Sequence, residues 1–99
     1  MTSHHHEEKL KEALQHAAAE FISTVSNRTS LITVTGIKLG HKAGQATILV
    51  SVLPDTAEAA ALNFLKRQRG EMRQFIGRKI ALRQAPFIDV AIDPGANNE

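Results

Sequence analysis

Residues 66–83, KRQRGEMRQFIGRKIALR, gather seven of the chain's twelve Lys and Arg residues beside a single acid, Glu71. The rest of the chain holds five bases and nine acids, so a net charge of +2 conceals a basic segment set against an acidic remainder. Lys66, Arg69 and Arg73 are spaced i, i+3 and i+7, which places them on one face of a helix, with Arg67, Arg78, Lys79 and Arg83 flanking them. A charged run is ordinarily a solvated face, but a run of one sign repels itself unless an anion is near. The chemistry on offer is neutralisation of phosphate, and the expected partner is nucleic acid. Adhesion to an anionic membrane would need large apolar groups exposed beside the bases. Met72, Phe75 and Ile76, the apolar residues of this stretch, are instead needed for a core with few other candidates.

Other chemistries find little support. The chain has no Trp or Tyr, and Phe21, Phe64 and Phe75 fall on apolar stripes, which leaves Phe87 as the one candidate stacking platform. Backbone and shape contacts are therefore expected over recognition by stacked bases. His4, His5 and His6 have metal-ligand chemistry, yet a histidine run at this position reads as a flexible end or cloning remnant. His16 and His41 stand alone. Asp89 and Asp93 share a strand face, but four residues of strand set them ~13 Å apart, too far for paired carboxylate catalysis. With no nucleophile motif either, neither an enzyme nor a cofactor or metal is expected.

The basic run needs elements to position it. Leu10, Ala13, Leu14, Ala17, Ala18, Phe21, Ile22 and Val25 form one apolar helical stripe, predicting a helix over roughly residues 6 to 26 with Glu7 and Glu8 in its first turn. In LITVTGIKL, Ile32 and Val34 fall on one parity and Ile37 and Leu39 on the other, so an extra residue at Gly36, a β-bulge, reconciles them. After the turn GHKAG, Ala46, Ile48, Val50 and Val52 alternate, which completes an antiparallel hairpin. Pro54 ends that strand, and Asp55 with Glu58 predicts a capping box opening a helix. Ala61, Leu62, Phe64 and Leu65 give this helix a buried side; Gly70 interrupts it, and Met72, Phe75, Ile76 and Ile80 continue as another. The kink is expected at Gly70, because glycine reaches backbone conformations that cost other residues energy. Ile88, Val90 and Ile92 alternate as a third strand.

The order helix, strand, strand, helix, helix, strand implies an α+β sandwich with helices over one face of a three-stranded sheet. One domain is expected over residues 6–93, between a flexible start at 1–5 and a flexible tail at 94–99. A chain of 99 residues buries only about 60 to 65% of its unfolded surface, so the core is thin. The absence of cysteine excludes a disulfide framework and a thiolate metal site. No apolar run approaches the ~20 residues of a spanning helix, and the start lacks the apolar core of a secretory signal, so a cytoplasmic location is expected.

From Ile32 onward, ITVTGIKL, QATILVSVL and LNFLKRQRGEMRQFIGRKIALRQAPFIDVAID resemble the ribosome-binding factor A family. The most specific piece is RGEMRQFIGRKIALRQAP with the strand that closes on Asp93, matching at Gly70, Arg73, Ile76, Gly77, Arg78, Leu82, Arg83, Pro86 and Asp93. The resemblance covers about two thirds of the chain. It implies a type II KH-like domain with a three-stranded mixed sheet, in which a small residue, any residue and glycine replace the GXXG loop of ordinary KH domains. Those positions are Gln68, Arg69 and Gly70; Gln68 stands where the family usually has alanine. SNRTS also differs from the family's usual link into the first strand. The resemblance further implies a monomer that binds rRNA of the immature small ribosomal subunit without catalysis, with Lys66, Arg67, Arg69, Gly70, Arg73, Arg78, Lys79 and Arg83 as the RNA-binding face. On the residues alone, a helix-turn-helix DNA binder using Arg73, Gln74 and Arg78, and a protein-binding adaptor using the hairpin edge, stay open.

Overall fold

The computed structural model describes residues 2–26, 29–40, 44–82 and 84–95, the side chains of residues 2–6 excepted. The chain runs α1 (Thr2–Val25), β1 (Leu31–Leu39), β2 (Gln45–Leu53), a 3-10 turn (Asp55–Ala57), α2 (Glu58–Arg67), α3 (Arg69–Ile80) and β3 (Phe87–Ile92). β2 is the central strand, antiparallel to β1 and parallel to β3, so the mixed sheet has the order β1-β2-β3. The connection between the parallel strands is the α2–α3 pair, as a parallel crossover requires.

The alternating residues of the hairpin reach the core as their period demands. Ala46, Ile48, Val50 and Val52 are buried in β2, and Ile88 and Val90 in β3. The β1–β2 register slips between Val34 and Gly36: Val34 pairs with Val50 and Gly36 with Leu49, leaving Thr35 as the unpaired residue. That bulge returns Ile37 to the buried face, where an unbroken alternation would have turned it to solvent.

α1 supplies Leu14, Ala17, Ala18, Phe21 and Ile22 to the core, and α3 supplies Met72 and Ile76. The two helices meet through a tilted ring pair, Phe21 and Phe75, with centroids 5.6 Å apart, and through an ion pair between Glu20 and Lys79 at 3.2 Å. α1 begins at Thr2 rather than near residue 6, so its first turn holds no acid and Glu7 and Glu8 lie further in.

The entry to α2 also differs from the sequence expectation. Asp55 sits inside a 3-10 turn, and the cap positions fall on Pro54 and Ala57, neither of which has a side-chain oxygen to accept a backbone N–H. The expected capping box at Asp55 is replaced by this tighter turn, held by the bond from Ala57 N–H to the Pro54 carbonyl at 2.9 Å. On the face of the sheet away from α1, the Thr35 hydroxyl donates to Asp93 Oδ2 at 2.7 Å, joining the bulge of β1 to the end of β3 across the central strand. Among the described residues, no helix is long and apolar enough to cross a membrane.

Candidate nucleic-acid interface

The junction of α2 and α3 is one residue, Gln68, with φ −93° and ψ 5°. This bridge-region conformation turns the chain without leaving the space open to ordinary residues. The Gln68 N–H closes α2 on the Leu65 carbonyl at 2.9 Å, and the Gln68 carbonyl accepts the first bond of α3 from Met72 N–H at 2.8 Å. The kink therefore belongs to Gln68 and not to Gly70, which lies within α3 and has no positive φ. A Cβ built at Gly70 would meet no atom within 4 Å. Glycine there leaves surface open and does not relieve the backbone.

The kink presents the basic residues to β3. Arg69 donates from Nε to the Lys66 carbonyl in the last turn of α2 at 2.9 Å, and from Nη1 to Asp89 Oδ1 at 3.4 Å. Lys66 Nζ lies 4.0 Å from the same carboxylate oxygen. These pairs are half exposed, so solvent screens them and they yield readily to a competing anion. Arg73 is held more firmly: Nε bonds the Ala85 and Pro86 carbonyls, each at 3.1 Å, and Nη2 bonds the Ala85 carbonyl at 2.9 Å. Its guanidinium lies over the Phe87 ring, 4.2 Å from the centroid. Gly77 allows this segment its close approach to α3, since a Cβ there would come within 3.3 Å of Ala85 Cβ.

Arg69, Gly70 and Arg73 form one wall of a groove of about 570 Å³, whose other walls are Phe87–Asp89 of β3 and Gln45–Thr47 of β2. Gly70 and Arg73 are shared with an adjoining cleft that Arg78 and Gln84 line. The structure thus brings Arg69, Gly70, Arg73 and Arg78 into one continuous surface, and Lys66 adjoins it through its approach to Asp89. Arg67 is exposed but lines neither cleft, and Lys79 is turned to α1 and its Glu20. Arg83 lies outside the described residues. Among the described residues, Arg67 and Arg78 make no hydrogen bond or ion pair, which leaves their charge available.

Sequence reasoning did not anticipate Asp89, the acid at the centre of this basic wall; only its alternation with buried Ile88 and Val90 shows that it faces outward. Asp93 is also assigned by the fold. The Thr35 hydroxyl and, second, the Gly95 N–H hold its carboxyl below the ordinary carboxylate value, and the slight opposing effect of burial does not cancel them.

The family model for ribosome-binding factor A matches residues 6–99. The chain belongs to this family. It is 34% identical to ribosome-binding factor A of Desulfitobacterium hafniense (strain DSM 10664 / DCB-2), over 94% of this chain and 80% of that one. Its fold is similar to the crystal structure of ribosome-binding factor A from Thermus thermophilus, with TM-score 0.75 and 22% identity over 86% of this chain and 93% of that one. A Thermus thermophilus ribosome-binding factor A homology model, fitted into the cryo-EM map of its complex with 30S, matches with TM-score 0.76 and 22% identity over 88% of this chain and 94% of that one. The ribosome-binding factor A fold of this chain is α+β and type II KH-like, with the order and mixed sheet that the sequence resemblance implied.

Proposed function

We propose that the chain is a non-catalytic maturation factor of the small ribosomal subunit, a cytoplasmic monomer that binds rRNA of the immature particle and assists processing of 16S rRNA. The observation that carries this reading is the run of Arg69, Gly70 and Arg73 along the groove beside β3, continued by Arg78 in the adjoining cleft and flanked by Lys66 at Asp89. Membership of the family and the complex of the Thermus relative with 30S point to the same partner. The wall supplies phosphate contacts, which orient a protein on RNA without reading sequence. Maturation is then assisted by differential affinity: a factor that binds a productive rRNA conformation better than misfolded alternatives shifts the population toward it, and departs once the completed form, which it binds more weakly, has formed.

The one-residue junction at Gln68 tells against a helix-turn-helix, whose two helices are separated by a turn of three or four residues. Co-sedimentation with immature and mature small subunits tests the proposal. Binding should favour the immature particle and fall steeply between ~50 and ~200 mM salt. Charge reversal at Lys66 and Arg78 together should abolish it, whereas reversal at Lys9 and Lys11 on α1 should leave it near the wild-type level. Equal loss from both pairs would mean that net charge alone is at work. A flat salt response would remove the electrostatic basis altogether.

A further inference from the structure

Phe87 is 62% exposed although the Arg73 guanidinium covers one face of its ring at 4.2 Å. An exposure this large, with one face so covered, leaves ring surface accessible to a ligand. Arg73 is itself anchored on the Ala85 and Pro86 carbonyls, so the ring is backed by a fixed cation. Phe87 lines the groove together with Asp89, two residues along on the same side of β3, roughly 7 Å away by the rise of a strand.

Asp89 has a matching feature. Its Oδ1 accepts from Val90 N–H at 2.8 Å and from Arg69 at 3.4 Å, while among the described residues no hydrogen bond reaches Oδ2. An acid in the middle of a wall that bound only phosphates would weaken that wall. A carboxylate beside a stacking surface is instead the acceptor that reads the N–H groups of a base edge.

We propose that Phe87 and Asp89 form a single-nucleotide pocket, in which an unpaired RNA base stacks on the open face of Phe87 and donates its Watson–Crick edge to Asp89, guanosine in preference to uridine. Guanine presents N1–H and the N2 amino group side by side, a pair that a carboxylate accepts through both oxygens; uracil presents one N–H between two carbonyl acceptors. Lys66 and Arg69, which approach Asp89 Oδ1 in the free protein, turn to the phosphate of a flanking nucleotide and release that oxygen to the base. The open surface at Gly70 admits its backbone. The inference rests on the RNA-binding reading above and adds base selection to it.

The test uses the purified chain with labelled five-nucleotide RNAs, UUGUU and UUUUU, followed by fluorescence anisotropy, with co-sedimentation on immature subunits run in parallel. The wild type should prefer UUGUU by about tenfold, the discrimination of one good base contact. Phe87→Leu should weaken binding of both RNAs by about tenfold without changing the salt slope, because stacking is lost and no cation is removed. Phe87→Tyr should restore it, and Asp89→Asn should erase the preference for UUGUU without weakening UUUUU. Far-ultraviolet circular dichroism checks that each variant is folded. Undiminished binding by folded Phe87→Leu, or equal wild-type affinity for the two RNAs, overturns the pocket. Sedimentation with subunits and no binding of either pentamer overturns the pocket and spares the ribosomal reading; failure of both overturns the two together.

Discussion

The two ends of α3 treat the same residue type in opposite ways. At the N-terminal end, Arg69 and Arg73 are engaged by the protein's own acceptors: the Lys66, Ala85 and Pro86 carbonyls and the Asp89 carboxylate. At the C-terminal end, Arg78 is exposed and makes no bond among the described residues, and the helix stops on Ala81 in the left-handed region at φ 59°, ψ 41°. One end is a built joint that doubles as a groove wall; the other is a charged end that carries backbone strain. A run of like charges in a sequence is therefore not one functional unit, since part of it is consumed in assembling the surface that the rest presents.

The largest expected effect separates the two ends directly. Arg73→Ala removes three charge-assisted bonds and the stacking on Phe87, and should destabilise the domain by about 2 kcal/mol in urea unfolding, discounted for partial exposure. Arg78→Ala should stay within about 0.5 kcal/mol of wild type while lowering the salt slope of RNA binding by about one. If the two variants unfold alike, the division of the helix into a joint and a free end fails.

At the strained end, Ala81→Gly should stabilise by about 0.5–1 kcal/mol, because the left-handed conformation costs alanine energy that glycine does not spend; a thermal melt reads the gain. Gly70→Ala should raise stability by up to about 0.5 kcal/mol, since the site is helical and its Cβ meets nothing. The same change should weaken RNA binding severalfold by filling the surface shared by the two clefts. Unaltered binding would show that the ligand does not approach the backbone there.

The smallest effect lies outside α3. Asp93 has a folded pKa below its unfolded one, so its contribution is present above the unfolded value and is lost as pH falls through the folded value. Thr35→Val, which removes the principal cause, should shrink the loss of stability on acidification and leave the neutral-pH groove unchanged. Acid titrations of wild type and variant that superimpose would take the bond to Thr35 out of the account.

What the sequence made legible follows period and parity. The α1 stripe, the hairpin, a bulge in β1 and the burial of Met72 and Ile76 are consequences of which positions must face one way, and these hold in the fold, with the extra residue at Thr35 and not at the expected Gly36. Three features were misplaced or missed, two because local backbone bonding departed from the rule applied and one because it depends on contacts distant in sequence. The kink sits at Gln68, whose N–H closes α2 and whose carbonyl opens α3, whereas a local rule assigns it to the nearest glycine. The capping residues at Asp55 have the right spacing for a motif that the 3-10 turn displaces. The anchoring of Arg73 by two carbonyls beyond the end of α3 has no local signature, so its guanidinium reads in the sequence as one more free charge.

The parallel pairing of β2 with β3 joins Gln45 to Phe87 and Thr47 to Asp89, residues contributed from opposite ends of the α2–α3 crossover. The groove is bounded by both segments, so it has no partial form in a chain whose hairpin has closed but whose third strand has not docked. Pairings so far apart in sequence carry a loop-closure cost that is met late in folding. A chain whose third strand is undocked thus carries its arginines without the groove, and if the groove receives RNA as proposed, completion of the sheet is a condition of affinity.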